Sequence, residues 1–153
     1  MRQQELNMLD DEQLIWKCVK PIIQKVRGRN PTIKSQVVMQ LNNAQRALFV
    51  FQVLYGHANE GILSFFNQIS YLADRPDIWD ALKSAMEFFN DAEMLSIIKK
   101  METAYYGTVE HLEDTIPMDE LDGLYADRIP FTLKLVGAFV RHNPAEYMSS
   151  FIT

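Results

Sequence analysis

The sequence has a single cysteine and no long apolar run. Cys18 is the single cysteine in 153 residues, which excludes an internal disulfide and any metal site built from several cysteines. No segment approaches the roughly 18 consecutive apolar residues of a membrane span, and the N-terminus lacks an apolar run of signal-peptide length. We therefore expect a cytoplasmic protein with no membrane partner, in which Cys18 is buried.

The motifs of common active sites are absent as well. The chain has no Gly-x-Ser-x-Gly elbow, no phosphate-binding Gly-rich loop and no His-Glu-x-x-His. Two of its three histidines, His57 and His142, fall at predicted helix ends, where donors to free carbonyls are favourable. One group at helical spacing could offer metal ligands, but it is more typical of a solvated loop: Glu110, His111, Glu113 and Asp114. We predict no catalytic residue, no metal and no cofactor.

Charge is distributed unevenly along the chain, whose net charge is −5. Residues 1–50 hold 8 Lys or Arg against 4 Asp or Glu, and residues 51–153 hold 7 against 16. The candidate basic cluster is typical of a solubilising helix face: Lys17, Lys20, Lys25, Arg27, Arg29 and Lys34. Because binding to a phosphate backbone depends on Lys and Arg, the balance argues against direct nucleic-acid binding.

Apolar periodicity predicts an all-α fold, a single globular domain of seven or eight helices over residues 1–153. No segment alternates apolar and polar residues between hairpin turns. A polar turn at residues 57–61 runs into a helix whose core face is expected to hold five residues: Ile62, Phe65, Phe66, Ile69 and Leu72. With 48% hydrophobic residues, the composition is that of an ordinary folded core.

Helix boundaries follow from caps and breakers. Asp10 with Gln13 predicts a first helix that ends near Gly28 and is kinked at Pro21. A long helix is predicted over residues 33–55, and further helices are predicted after Pro76 and after an Asn90–Glu93 cap. The latter helix is expected to end at Gly107, before a surface loop over residues 107–120. A short piece near Tyr125, a helix opened by Pro130 and a last turn from Pro144, capped by Asn143 and Glu146, complete the chain.

An acidic stretch is the strongest candidate for a binding surface. It places seven carboxylates in eighteen residues: Glu110, Glu113, Asp114, Asp119, Glu120, Asp122 and Asp127. Displayed on one face, they could meet a basic surface of a partner such as a nucleic-acid-binding protein. The alternative interpretation is a solvated loop.

Four segments carry a resemblance to a known family: Asn59-Glu60-Gly61-Ile62-Leu63-Ser64-Phe65-Phe66-Asn67, Trp79-Asp80-Ala81-Leu82, Leu121-Asp122-Gly123-Leu124-Tyr125 and Val140-Arg141-His142-Asn143-Pro144. Over about residues 35–151 the chain resembles the bacterial DNA-mimic-protein domain family. It departs from that pattern where Glu60 replaces a Gly, Ile62 an aromatic residue and Ser64 a Gln. The resemblance implies an all-α fold without a cofactor. In the member that gave the family its name, it implies a dimer whose acidic surface imitates duplex DNA and occupies a transcription factor.

Three functional hypotheses follow. The first is a non-enzymatic, regulatory protein-binding protein whose acidic surface occupies a basic protein such as a transcription regulator. The second is an immunity-type protein that neutralises a co-encoded toxin. The third is an enzyme with a small polar pocket at His57, Asn59 and Glu60. The motif residues Asn59, Gly61, Phe65, Phe66 and Asn67 are expected to be structural. A homodimer is an option, because 8 Met and several aromatic residues could exceed what one core needs.

Overall fold

Helices make up most of the part of the chain that the structure describes. The computed structural model describes residues 8–70, 78–110 and 116–148, and within these ranges it has eight helices and no strand. In chain order the helices are α1 (Asp11–Val26), α2 (Pro31–Gln40), α3 (Asn43–Ala58), α4 (Ile62–Ser70), α5 (Ile78–Phe88), α6 (Ala92–Glu110), α7 (Met118–His142) and α8 (Pro144–Met148). The predicted all-α, single-domain fold is confirmed.

Five of the helices pack in a closed cycle around the core. Helix α1 contacts α3, α3 contacts α5, α5 contacts α6, α6 contacts α7, and α7 returns to α1. Helix α4 bridges α3 and α7. The predicted core face of α4 is confirmed for Ile62, Phe65, Phe66 and Ile69, which are all buried, whereas Leu72 lies outside the described residues. Cys18 is buried as well, as predicted.

Aromatic side chains join α4 to α5 and α6. The Trp79 ring on α5 lies 5.9 Å from that of Phe65 and 6.2 Å from that of Phe66, both in edge-on geometry. The Tyr105 ring on α6 lies 5.3 Å from the ring of Phe66 and so joins this aromatic cluster. Such pairs stabilise a core by about 0.5–1.5 kcal/mol each beyond their buried area. These contacts explain why the aromatic residues of the 59–67 segment belong to the scaffold.

The prediction of one long helix over residues 33–55 was wrong. Helix α2 ends at Gln40 and α3 begins at Asn43, with Asn42 as its N-cap. The Asn42 side chain accepts from the Gln45 amide at 2.8 Å, and the Gln45 side chain accepts from the Asn42 amide at 3.1 Å. This capping box stabilises a new helix start although the apolar spacing continues through it. Asn42 Nδ2 also donates to the Glu146 carbonyl at 2.8 Å and so attaches α8.

The cap predicted at Asn90 belongs to Asp91 instead. Asn90 has φ 60°, and the amides of Asn90 and Asp91 donate to the carbonyls of Glu87 and Met86. This pattern ends α5 in a Schellman motif, which needs a left-handed residue that Asn tolerates. Asp91 then caps α6, because its Oδ1 accepts from the Met94 amide at 2.9 Å.

Two predicted boundaries around the acidic stretch were also wrong. Helix α6 does not end at Gly107 but continues to Glu110, and Gly107 is buried. Helix α7 is not opened by Pro130 but begins at Met118, directly after Pro117. Pro130 removes one hydrogen bond to the Ala126 carbonyl, and because both residues are exposed, water can take the place of that bond. Helix α1 contains Pro21, as predicted, and the kink expected there stays a prediction.

Helices α1 and α7 approach closely at Gly137. Arg141 on α7 binds the Asp11 carboxylate at the start of α1 and donates to the Leu9 carbonyl at 2.8 Å. A Cβ at Gly137 would lie 2.7 Å from the Cγ of Asp11. The absence of a side chain at this position therefore lets the Asp11–Arg141 pair form between the helices.

Candidate functional site

The structure describes five of the seven predicted acidic residues. Asp119, Glu120 and Asp127 are exposed on α7, and Asp122 on the same helix is half-buried. Glu110 is the last residue of α6, while Glu113 and Asp114 lie outside the described residues. Asp119 and Glu120 stand in the first helical turn, where carboxylates are favourable beside the positive end of the helix dipole. The described part of the stretch is thus helical and not a loop.

Asp122 does not belong to a free acidic surface. Its Oδ1 accepts a hydrogen bond of 2.8 Å from the amide of Ile62, the first residue of α4. A side-chain acceptor at this position satisfies one of the amides that a helix start leaves unpaired. Helix α4 is therefore capped by a residue that lies 60 positions further along the chain. Asp122 is therefore not a free carboxylate, and its place in the partner-binding face stays a prediction.

The remaining carboxylates share one side of α7 with an exposed aromatic ring. Asp127 follows Glu120 by seven residues and Asp119 by eight, about two helical turns, so all three project from one side. One turn after Asp127, Phe131 is 59% exposed. We call Asp119, Glu120, Asp127 and Phe131 the outer stripe. Exposed aromatic side chains are frequent anchors in protein interfaces, because aromatic residues dominate interface energetics.

Behind the outer stripe lies a polar network that the sequence did not predict. Asp91 is 1% exposed, and its Oδ1 accepts from Arg128 Nε at 3.1 Å and Nη2 at 2.9 Å. Its Oδ2 accepts from the Thr132 hydroxyl at 2.6 Å. Arg128 also binds Glu93 at 3.0 Å, and its guanidinium carbon lies 5.6 Å from the centre of the Phe131 ring. The network joins α6 to α7 and places the Arg128 guanidinium beside the Phe131 ring.

Three of the five motif residues lie in structural positions: Gly61 in the turn, and Phe65 and Phe66 in the core. Gly61 has φ 111°, a conformation that permits the turn between α3 and α4. Asn59, Glu60 and Asn67 are exposed. Burial, followed by the nearby Glu12 carboxylate, raises the pKa of the Tyr55 hydroxyl, while a hydrogen bond from Asn59 acts in the opposite direction. Asn59 is thus engaged with α3 itself.

A groove lies between α1, α2, α3 and α5. It has a volume of about 600 Å³. Its lining is largely apolar, with Lys34, Arg27 and His57 among it, and Trp16 is 42% exposed at the rim. Neither Asn59 nor Glu60 lines this groove. The spacing of Trp16, Ile23 and Arg27 at i, i+7 and i+11 already places one side of α1 and its C-cap here, which is the signal that sequence reasoning missed.

His142 Nδ1 lies 2.7 Å from the Ala138 carbonyl at the end of α7, in agreement with its predicted role at a helix end. Among the described residues, no group of three or more His, Cys, Asp or Glu side chains could hold a metal ion. In the same ranges, no helix combines the length and the apolar character that a membrane span requires.

Comparison with known proteins gives no relative. No family model matches the chain, and no curated protein or solved structure shows significant similarity to it.

Proposed function

We propose that the protein is a non-enzymatic binding protein whose outer stripe contacts a basic surface of a partner protein. The observation that carries this proposal is the juxtaposition of three exposed carboxylates with the exposed ring of Phe131 on one side of α7. None of these carboxylates forms a hydrogen bond or an ion pair with another residue in the described ranges. Their charge is available to a partner.

The geometry favours recognition by charge and one aromatic contact together. Carboxylates at the rim of an interface accelerate association with a basic partner, while an aromatic residue at its centre slows dissociation. The Asp91–Arg128–Thr132 network holds this part of α7 in place, so little ordering is needed on binding. A basic nucleic-acid-binding protein fits this chemistry, in keeping with the resemblance to the DNA-mimic-protein domain family.

The proposal is tested by affinity capture from the native host at low and at high salt, followed by mass spectrometry. The test variant neutralises the stripe with Asp119→Asn, Glu120→Gln and Asp127→Asn. The matched control neutralises three exposed carboxylates elsewhere, with Glu60→Gln, Glu87→Gln and Glu146→Gln. We expect a basic protein to be captured by the wild type and the control, to be lost with the stripe variant, and to be released at high salt.

Capture that is equal for both variants would contradict the proposal. A captured toxin encoded beside this gene would instead identify the protein as an immunity-type binder. A captured transcription regulator that is displaced by duplex DNA would identify it as a DNA mimic.

A further inference from the structure

The groove between α1, α2, α3 and α5 has a charge opposite to that of the whole protein. Among the described residues that line it, the charged and titratable side chains are Arg27, Lys34 and His57, and none is acidic. The chain as a whole carries a net charge of −5. A ligand in this groove would therefore meet a local positive field on an acidic protein.

The two cations of the groove have no partners within the part of the chain that the structure describes. Neither Arg27 nor Lys34 forms an ion pair there. Elsewhere Lys83 binds Glu102 at 2.8 Å, Arg128 binds Asp91 and Arg141 binds Asp11. Lys34 is half-buried and lines the groove together with apolar side chains.

The floor of the groove is hydrocarbon. It is formed by side chains of all four helices that are buried or half-buried: Ile23, Val26, Val38, Phe49, Val53 and Ile78. The volume of about 600 Å³ falls in the roughly 300–1,000 Å³ range of small-molecule sites. Such sites combine an apolar lining with a few polar groups that fix the orientation of the ligand.

We infer that this groove binds a small amphipathic anion, with its carboxylate at Lys34 and Arg27 and its hydrocarbon chain along the apolar floor. The apolar floor favours the chain, because burial removes its methylene groups from water. Arg27 and Lys34, which have no ion-pair partner among the described residues, select an anionic head group over a neutral or cationic one. None of the residues that line the groove belongs to α7, which carries the outer stripe, and the inference does not depend on the function proposed for that stripe.

Trp16 supplies a direct measurement. It is 42% exposed at the rim of the groove, whereas Trp79, the other tryptophan, is 2% exposed in the core. The probes are decanoate, 1-decanol and decyltrimethylammonium, which share one chain and differ in the charge of the head group. We expect decanoate to shift the emission of Trp16 to shorter wavelength in a saturable way, with at least tenfold weaker responses to the other two.

The variants locate the head group. Lys34→Gln removes a cation from the groove and should weaken decanoate binding about tenfold, which corresponds to one charge-assisted contact. Lys25→Gln makes the same change on α1 at an exposed residue that does not line the groove, and it should bind as the wild type does. Because both lysines lie at the protein surface, neither change threatens the fold. Trp16→Phe should abolish the signal.

Four results would overturn the inference. The first is the absence of a saturable response to decanoate. The second is equal binding of decanoate by wild type and Lys34→Gln, or equal binding of decanoate and 1-decanol. The third is a response that survives Trp16→Phe, which would come from Trp79.

The fourth is evidence for a different occupant. A Trp16 shift that grows with protein concentration alone would assign the groove to a second copy of the chain. Tighter binding of an acidic amphipathic peptide would assign it to a protein partner.

Discussion

The inner and outer sides of helix α7 carry the same kinds of polar side chain, but those on the inner side have partners within the protein. On the inner side Asp122 caps α4, and Arg128 and Thr132 bind Asp91. On the outer side Asp119, Glu120 and Asp127 face solvent. The residue type therefore does not separate structural from functional carboxylates. Burial and partners do, and they direct the search for function to the outer stripe.

The largest expected effect of a substitution is at Asp91, on the inner side. Asp91→Ala leaves the Arg128 guanidinium and the Thr132 hydroxyl without their buried acceptor and removes the cap of α6. We expect the free energy of unfolding to fall by about 3 kcal/mol, the lower end for a broken buried ion pair, because Arg128 keeps Glu93. Urea denaturation at pH 7 measures it.

Asp127→Ala is the matched control from the outer side of the same helix. Its unfolding free energy should stay within about 0.5 kcal/mol of the wild type, as for most surface substitutions. Similar losses for the two variants would show that the inner and outer carboxylates do not differ as described.

A second, smaller effect concerns buried groups that are neutral at pH 7. Burial raises the pKa of the Cys18 thiol to about 11. Between pH 9 and pH 11 the unfolded chain has lost this proton while the folded protein keeps it, so stability falls as pH rises. We expect a loss of up to about 2 kcal/mol from this group over that window.

Urea denaturation at a series of pH values measures this loss. Burial also raises the pKa of Tyr125 and Tyr147, so part of the alkaline loss belongs to them. Cys18→Ala should have a flatter alkaline profile than the wild type. Parallel profiles for the two proteins would disprove the contribution of Cys18.

The smallest of the three effects is expected at Asp122. Asp122→Ala removes the acceptor for the Ile62 amide and should lower the free energy of unfolding by about 1 kcal/mol, the usual value for a lost cap. The loss should be concentrated in α4, so hydrogen exchange of its first amides should accelerate more than that of α6. Unchanged protection at Ile62 would rule out the cap.

Sequence reasoning succeeded where the determining interactions are local. The core face of α4 and the Asp10–Gln13 capping box depend on residues within two helical turns, and both were predicted. The break at Asn42 is local too, but it was missed because the apolar spacing from Val37 to Phe51 runs through it. The Asn42–Gln45 capping box was visible in the sequence and outweighs that spacing.

The candidate sites were less predictable because they are assembled from distant parts of the chain. Asp122 reaches α4 across 60 residues, and nothing near it in the sequence separates it from Asp119. The groove requires four helices, so Trp16 and Lys34 acquire a common role only in the folded protein. The acidic stretch was recognised by composition, but the structure divides its described residues between a helix cap at Asp122 and the exposed surface of α7.

The attachment of α8 has a consequence for local opening. A helix of five residues has no stability of its own, so α8 depends on the Asn42–Glu146 hydrogen bond and on the buried ring of Tyr147. We therefore expect α8 to detach in local openings while the larger helices stay folded. Hydrogen exchange of the α8 amides would then report the fraying of this helix rather than global unfolding.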